Sequence, residues 1–570
     1  MLTNKLWHAL CYFTLLSSYT AYASEIAEKE SIGSCDQSDT ERHSELTDVN
    51  FKATGIDYGS ATVGKIDIDA SPIFDENNPD ENNWAFRLVN RLHVKTKAGV
   101  IKDDLLFKPG DNLQDVSISA SERTLNTRRY LTNAKISTAP PCNGVSNVTV
   151  STRDVWTLKP KLSLSRSGGN NNSSAGFEDS NFFGTGKSVS IMRFNNDQRS
   201  GQVYSYYDPN TGAYKSALKL RYSENSDGIE KKFQLYRDFL DISTDWSGGI
   251  FYGDKSEVAS VYDLGKKVFN YEQQSKSASV FYGRRLDSAS VDNEYARRIV
   301  FGVTSSAETF TPDTIVPNSS FYLPTDRDEN IAWIEYQKEI DDYISTTNIK
   351  QINRPEYFNL GGKFTARLGY SNSNISSDFN AYLLDIEDSY AYKLKDNHLI
   401  IGSTKLTGRY TDSGLLNSAI EGDVSYYWKN MERGQFFAKL SGLKGYNLYQ
   451  DTIIELGGDT GLRGYPSHYQ SGDKSLLFTM EQHFFGNTEW LSLFYAGAAV
   501  FFDAGSAWGT TSNSPDWVKD VGVGLRFSGT RNGSREEGEH NVLHMDIVAP
   551  LDGKSDISSY QLRVKTEKRF

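Results

Sequence analysis

Hydrophobic and polar positions follow two different rhythms along this chain, and the change falls near Leu158. Before it, Val63-Gly64-Lys65-Ile66-Asp67-Ile68 alternate strictly, which predicts a strand. A helical stretch follows at 84–93, then the turn-rich Leu105-Leu106-Phe107-Lys108-Pro109-Gly110-Asp111. The spacing predicts a second helix over about 116–131, with Ile118, Leu125 and Leu131 on its apolar side. Strands at 134–137 and 145–152 complete a β-α-α-β-β order, so residues 61–157 read as one small α+β domain.

Beyond Leu158 the helical period disappears. Short alternating segments separated by Gly, Asn, Asp and Ser take over, for example 188–194, 382–392, 476–484 and 495–503. The last five phase most easily, at about 475–485, 491–505, 518–528, 541–549 and 559–570. At ~10 residues per strand with longer outer loops, residues 158–570 accommodate about 14 to 18 strands. The terminal strand places Tyr560, Leu562, Val564, Thr566 and Phe570 on one face and Gln561, Arg563, Lys565 and Glu567 on the other. An amphipathic strand ending in an aromatic looks like the assembly signal of outer-membrane barrels.

Composition narrows the class. After Lys5 an apolar stretch runs to about Leu16 and ends at Ala21-Tyr22-Ala23, so residues 1–23 read as a secretory signal peptide. His8-Ala9-Leu10 before Cys11 is a poor lipoprotein box. Past the signal no apolar run approaches the ~18 residues of a membrane helix, and the mean hydropathy is −0.53. A barrel tolerates this value, because its lumen-facing residues are polar; 33 Tyr, 30 Phe and 46 Gly against 14 Pro suit girdles and hairpins. Residues 24–60 are polar and aperiodic, a flexible leader.

The formal charge of −12 without a basic cluster argues against a nucleic-acid partner. Cys35 and Cys142 remain in the exported chain, as a disulfide or as two free thiols. Gly184-Thr185-Gly186-Lys187-Ser188 imitates the end of a phosphate loop, but the first glycine of that motif would fall at Asn181 and the context is strand-turn-strand. There is no G-x-S-x-G or H-E-x-x-H motif, and the 8 His are scattered. No catalytic residues, cofactor or metal site are expected.

The most informative segment is Gly457-Gly458-Asp459-Thr460-Gly461-Leu462-Arg463-Gly464-Tyr465-Pro466, a loop before the last five strands. Phasing the next two strands turns Phe478, Met480 and Phe484, then Val500 and Phe502, toward lipid. That leaves Glu481 and Asp503 in the lumen, with His483 beside Glu481. Buried carboxylates are costly alone, and a guanidinium folded in from the loop can bond both; Arg463 is the obvious donor.

On these residues the chain resembles the BamA/TamA superfamily of outer-membrane assembly factors and the related two-partner secretion transporters. Leu462-Arg463-Gly464-Tyr465 looks like the family's loop motif, with Glu481 and Phe502-Asp503-Ala504-Gly505 matching its lumen partners. Ser121-Glu122-Arg123-Thr124-Leu125 and Arg129-Tyr130-Leu131-Thr132-Asn133-Ala134 resemble a POTRA domain, and residues 178–187 resemble an early barrel hairpin. The chain has room for one POTRA-like domain, fewer than the family's assembly factors carry. The resemblance implies a POTRA-like α+β domain in the periplasm, followed by an all-β transmembrane barrel of about 16 antiparallel strands in the outer membrane. It further implies a non-enzymatic factor for unfolded outer-membrane or secreted clients, with outer-membrane lipid and periplasmic accessory proteins as partners. Clients would be received by β-augmentation at about 133–138. The barrel would open between its first strand, near 161–166, and its last, which carries Tyr560, Leu562, Val564 and Phe570. A dedicated two-partner-type transporter and a passive porin are the alternatives.

Overall fold

A computed structural model describes residues 50–51, 61–79, 81–212, 214–287, 295–314, 323–354, 356–375, 377–491, 493–509, 515–530, 542–552 and 557–567. The expected signal peptide, most of the leader, Cys35 and Phe570 lie outside the described residues. Cys142 is disulfide-bonded.

The first domain is a three-stranded sheet with helices on one side. Val145–Asp154 lies in the middle, parallel to Thr62–Ser71 and antiparallel to Leu131–Thr138. Helix α1 (Trp84–Leu92) starts at Asn83, whose side chain accepts from the Phe86 N–H. A short helix α2 (Ala98–Asp104) precedes α3 (Asp115–Thr127). Ile101, Leu105, Ile118 and Leu125 pack onto Leu131, Val148 and Val150, all essentially fully buried. Each such side chain contributes roughly 1.5–3 kcal/mol. Helix α2 is not in the β-α-α-β-β reading, and α3 stops before Leu131, which opens a strand. At seven residues α2 is too short to show a helical period.

The first domain is tied to the barrel by polar contacts. Asn210 Nδ2 donates to Asp104 Oδ1 at 2.6 Å, and Arg123 Nη2 lies 3.0 Å from Asp341 Oδ1.

From Leu158 the chain forms one closed antiparallel barrel of 20 strands, which corrects the expected 16. The error lay in the loops. Outer turns are as short as two residues at 168–169, 226–227, 264–265 and 412–413, so fewer residues are spent outside the wall than a porin-like allowance assumes. The two glycines at 168–169 both have positive φ, which such a turn requires. Five strands still follow the Arg463 loop, so the additional ones precede it.

The wall has two faces. Outward, cross-strand neighbours form an apolar belt, as in Ile250, Val280 and Val303, or Tyr282, Phe301 and Ile334, all exposed. Inward, charges are paired, as in Arg298 with Glu339 at 2.6 Å and Arg409 with Glu329 at 2.7 Å. An apolar exterior over a polar lumen is the surface of a transmembrane barrel of outer-membrane type. Among the described residues no helix is long and apolar enough to cross a membrane.

A connector at 341–362 closes over the inner mouth. Its strands Tyr343–Thr346 and Glu356–Asn359 pair with each other, and Asn50–Phe51 adds to the first. Ile349 packs with Leu399, Tyr427 and Phe437, while Ile352 reaches Phe485, Ala499 and Val542.

Candidate functional site: the lumen loop and the closing strands

The loop after Gly434–Tyr446 runs inward instead of outward. Its short strands Ile454–Leu456 and Gln470–Gly472 pair, and Leu456, Leu462, Tyr465 and Tyr469 pack with Ala507 and Val518. Arg463 is carried to the wall at this point. Its Nε donates to Asp503 Oδ2 at 2.7 Å and its Nη2 to Asp503 Oδ1 at 2.9 Å, while Nη2 lies 3.1 Å from Glu481 Oε1. The guanidinium carbon sits 3.5 Å above the centre of the Phe501 ring, a cation–π contact. Burial removes water from all three charges, so each depends on the others.

The neighbouring loop residues are held as tightly. Gly464 N donates to Asp520 Oδ2 at 2.9 Å, and a Cβ at Gly464 would come within 2.7 Å of the Asp520 Cβ. Tyr465 donates its hydroxyl to the Lys519 carbonyl at 2.9 Å and also meets Asp552. Leu462 is completely buried. At the barrel's first hairpin, Ser467 N donates to Gly168 O at 3.1 Å and Ser167 Oγ to Gly458 O at 2.7 Å. The loop thus joins the first hairpin to the closing strands.

A second charge cluster, absent from the sequence reading, lies beside the first. Asp546 accepts from Arg526 Nη1 at 2.5 Å and from Arg563 Nη1 at 3.0 Å, with all three buried. It ties the last strand, Gln561–Glu567, to Val542–Pro550 and Val518–Gly529. Inward phase was the available signal: Arg563 stands on the polar face of its strand, as Asp546 does on its own. His483 Nε2 lies 3.0 Å from Glu481 Oε2 and serves that cluster.

The closing seam has little described pairing. Val564 and Arg166 form the single Cα pair between the last strand and the first, Leu158–Ser167, among the described residues. The next-shortest ladders of the wall have seven pairs. Pro160 in the first strand lacks an N–H, a residue tolerated at sheet edges. Leu562 and Tyr560 are exposed on the outward side, with Gln561 and Arg563 turned in.

The docking edge expected at about 133–138 falls on the strand Leu131–Thr138, which lies at the border of its sheet. Its outward N–H groups are already engaged, however. Ala134 N donates to Asn126 Oδ1 at 2.9 Å and Ile136 N to Glu122 Oε2 at 3.1 Å. Among the described residues there is no group of side chains able to hold a metal ion.

No family model matches the chain, and no curated protein does. Among solved structures it is similar to BamA from Haemophilus ducreyi lacking POTRA domains 1-3, at 14% identity and a TM-score of 0.37, over 89% of this chain and 84% of that one. It is similar to CdiB from Acinetobacter baumannii at 13% identity and a TM-score of 0.44, over 88% and 74% of the two chains. For CdiB from Escherichia coli the values are 10%, 0.44, 88% and 75%.

Proposed function

We propose that the protein is a non-enzymatic outer-membrane factor that inserts or translocates unfolded protein clients, with its first domain in the periplasm. The seam between Leu158–Ser167 and Gln561–Glu567, where one Cα pair is present among the described residues, carries this reading. A seam with little described pairing offers a strand edge to an incoming strand, and separating few pairs costs less than separating a full ladder. The last strand is braced from inside on its other edge by Arg563 on Asp546, which would hold it to the wall if the seam parted. The first domain would receive the client at Leu131–Thr138 by backbone pairing, displacing Glu122 and Asn126. Energy would come from client folding.

A transporter dedicated to one secreted partner is the second reading. A barrel of 20 strands is wide enough for an extended chain once the inner connector and the Arg463 loop withdraw. A passive porin fits less well, because both segments occupy the lumen. Depletion of the protein, followed by proteomics of outer membrane and medium, separates these readings. Broad loss of barrels supports insertion, loss of one secreted protein supports the transporter, and no change in either overturns both.

A further inference from the structure

Helix α1 turns its apolar stripe away from its own domain. Phe86 stacks on Phe74 with ring centroids 4.0 Å apart, which marks the inner side. Trp84, Leu88 and Leu92, spaced by four residues and so on one face, are 74%, 45% and 64% exposed. Arg87 and Arg91 flank the stripe, and the helix carries no acid.

A second apolar element meets the end of this helix. Phe182 and Phe183 occupy the turn between barrel strands Asn170–Asp179 and Ser188–Asn195. Phe183 has φ +52°, a backbone conformation that is an outlier for a bulky side chain, yet its ring is 64% exposed. The ring packs on Phe182, centroids 4.3 Å apart, and the strained turn presents this aromatic pair at the surface, which points to a use for it. The turn is fixed on the segment after α1: Lys97 N donates to Gly184 O at 3.0 Å, and Asn181 Nδ2 to Thr96 Oγ1 at 2.8 Å. Val94, also exposed, lies against Gly184, so the stripe continues from Leu92 through Val94 to the turn.

The same surface runs into the barrel's lipid belt. Phe177 and Ile191 are Cα partners just above the turn, on the outward face, and are 66% and 53% exposed. An amphipathic helix with Trp and Leu on one side and arginines beside them suits a membrane interface, where its apolar face sits ~5–10 Å into the headgroup and acyl boundary. The arginines match anionic headgroups. We propose that α1 and the Phe182-Phe183 turn form an interfacial anchor, which holds the first domain against the phospholipid leaflet at the barrel's inner rim. This rests on the barrel spanning a membrane.

The test uses the full chain in vesicles of phosphatidylethanolamine and phosphatidylglycerol, with brominated acyl chains as quencher. An environment-sensitive fluorophore is attached in turn through Leu88→Cys, Thr127→Cys on α3, and Val523→Cys on the lipid face of the wall. Expected is a blue-shifted, quenched signal at residues 88 and 523 and neither at 127. Adding Trp84→Glu and Leu92→Glu should abolish the quenching at 88 while that at 523 persists, which shows the barrel still inserted. Quenching at 523 without any at 88 overturns the anchor and leaves the barrel reading intact. An absence at 523 overturns the barrel reading itself. If the label at 88 responds only to added unfolded client, the surface is a client site and the anchor is wrong.

Discussion

Arg463 meets Asp503 through two parallel hydrogen bonds, Nε to Oδ2 at 2.7 Å and Nη2 to Oδ1 at 2.9 Å, with both side chains buried inside the barrel. The residues are 40 positions apart, and their pairing holds the outer loop in the lumen.

Replacing Arg463 by Ala leaves Asp503 and Glu481 buried without their cation. A loss of about 3–5 kcal/mol is expected, since breaking a buried pair strands the remaining charge. Lys in its place retains charge but cannot form the fork or stack equally well on Phe501. The midpoint of heat unfolding, followed by gel mobility, should therefore rank native above Lys above Ala. An Ala variant with the native midpoint would remove the bracing role.

The seam can be locked at its described pair. Arg166→Cys with Val564→Cys should oxidise to a disulfide and stop insertion or secretion, with activity returning on reduction. Leu164→Cys with Ser173→Cys, a pair within the first hairpin, is the control and should leave activity unchanged. Equal activity of both locked proteins would mean that the wall does not part at this place.

The edge of the first domain should bind better once cleared. Glu122→Ala with Asn126→Ala frees the Ala134 and Ile136 N–H groups for an incoming strand. A hydrogen bond is worth roughly 0.5–1.5 kcal/mol net, so the Kd of an extended peptide should tighten by up to about tenfold. Anisotropy titrations that show no tightening would place client docking elsewhere.

The inner connector should titrate near neutrality. Burial pushes the Glu356 carboxyl from its ordinary 4.5 up to about 7, against the N–H groups of Lys350, Ile349 and Gln351 that favour the carboxylate. The folded form thus holds a proton that the unfolded form has lost, and connector stability falls as pH rises from 4.5 through about 7. The loss amounts to a few kcal/mol at ~1.4 kcal/mol per unit. Hydrogen exchange at residues 349–351 should accelerate across this window, and Glu356→Gln should flatten the dependence. An unchanged slope in that variant would assign the effect to another group.

Much of the site is legible in the sequence for a simple reason. A strand has a period of two, so a few lipid-facing residues such as Met480 and Val500 set the direction of every other side chain on their strands. Glu481 and Asp503 follow as inward charges, and an inward charge calls for a partner within reach. The same phasing extended to Arg526, Asp546 and Arg563 would have marked the second cluster. Which of these groups meet, however, is set by register between strands, which local patterning does not encode.

By itself the sequence determined the barrel class and the faces of its strands, because alternation and turn chemistry are local. Only the tertiary structure decided that the wall has 20 strands, that one Cα pair joins its last and first strands among the described residues, that Ile352 reaches Phe485, Ala499 and Val542, and that Glu122 and Asn126 already occupy the free edge of the first domain's sheet. Each of these depends on how distant segments meet when the sheet closes on itself. Loop lengths and inter-strand register set that closure, and neither leaves a periodic signal in the chain.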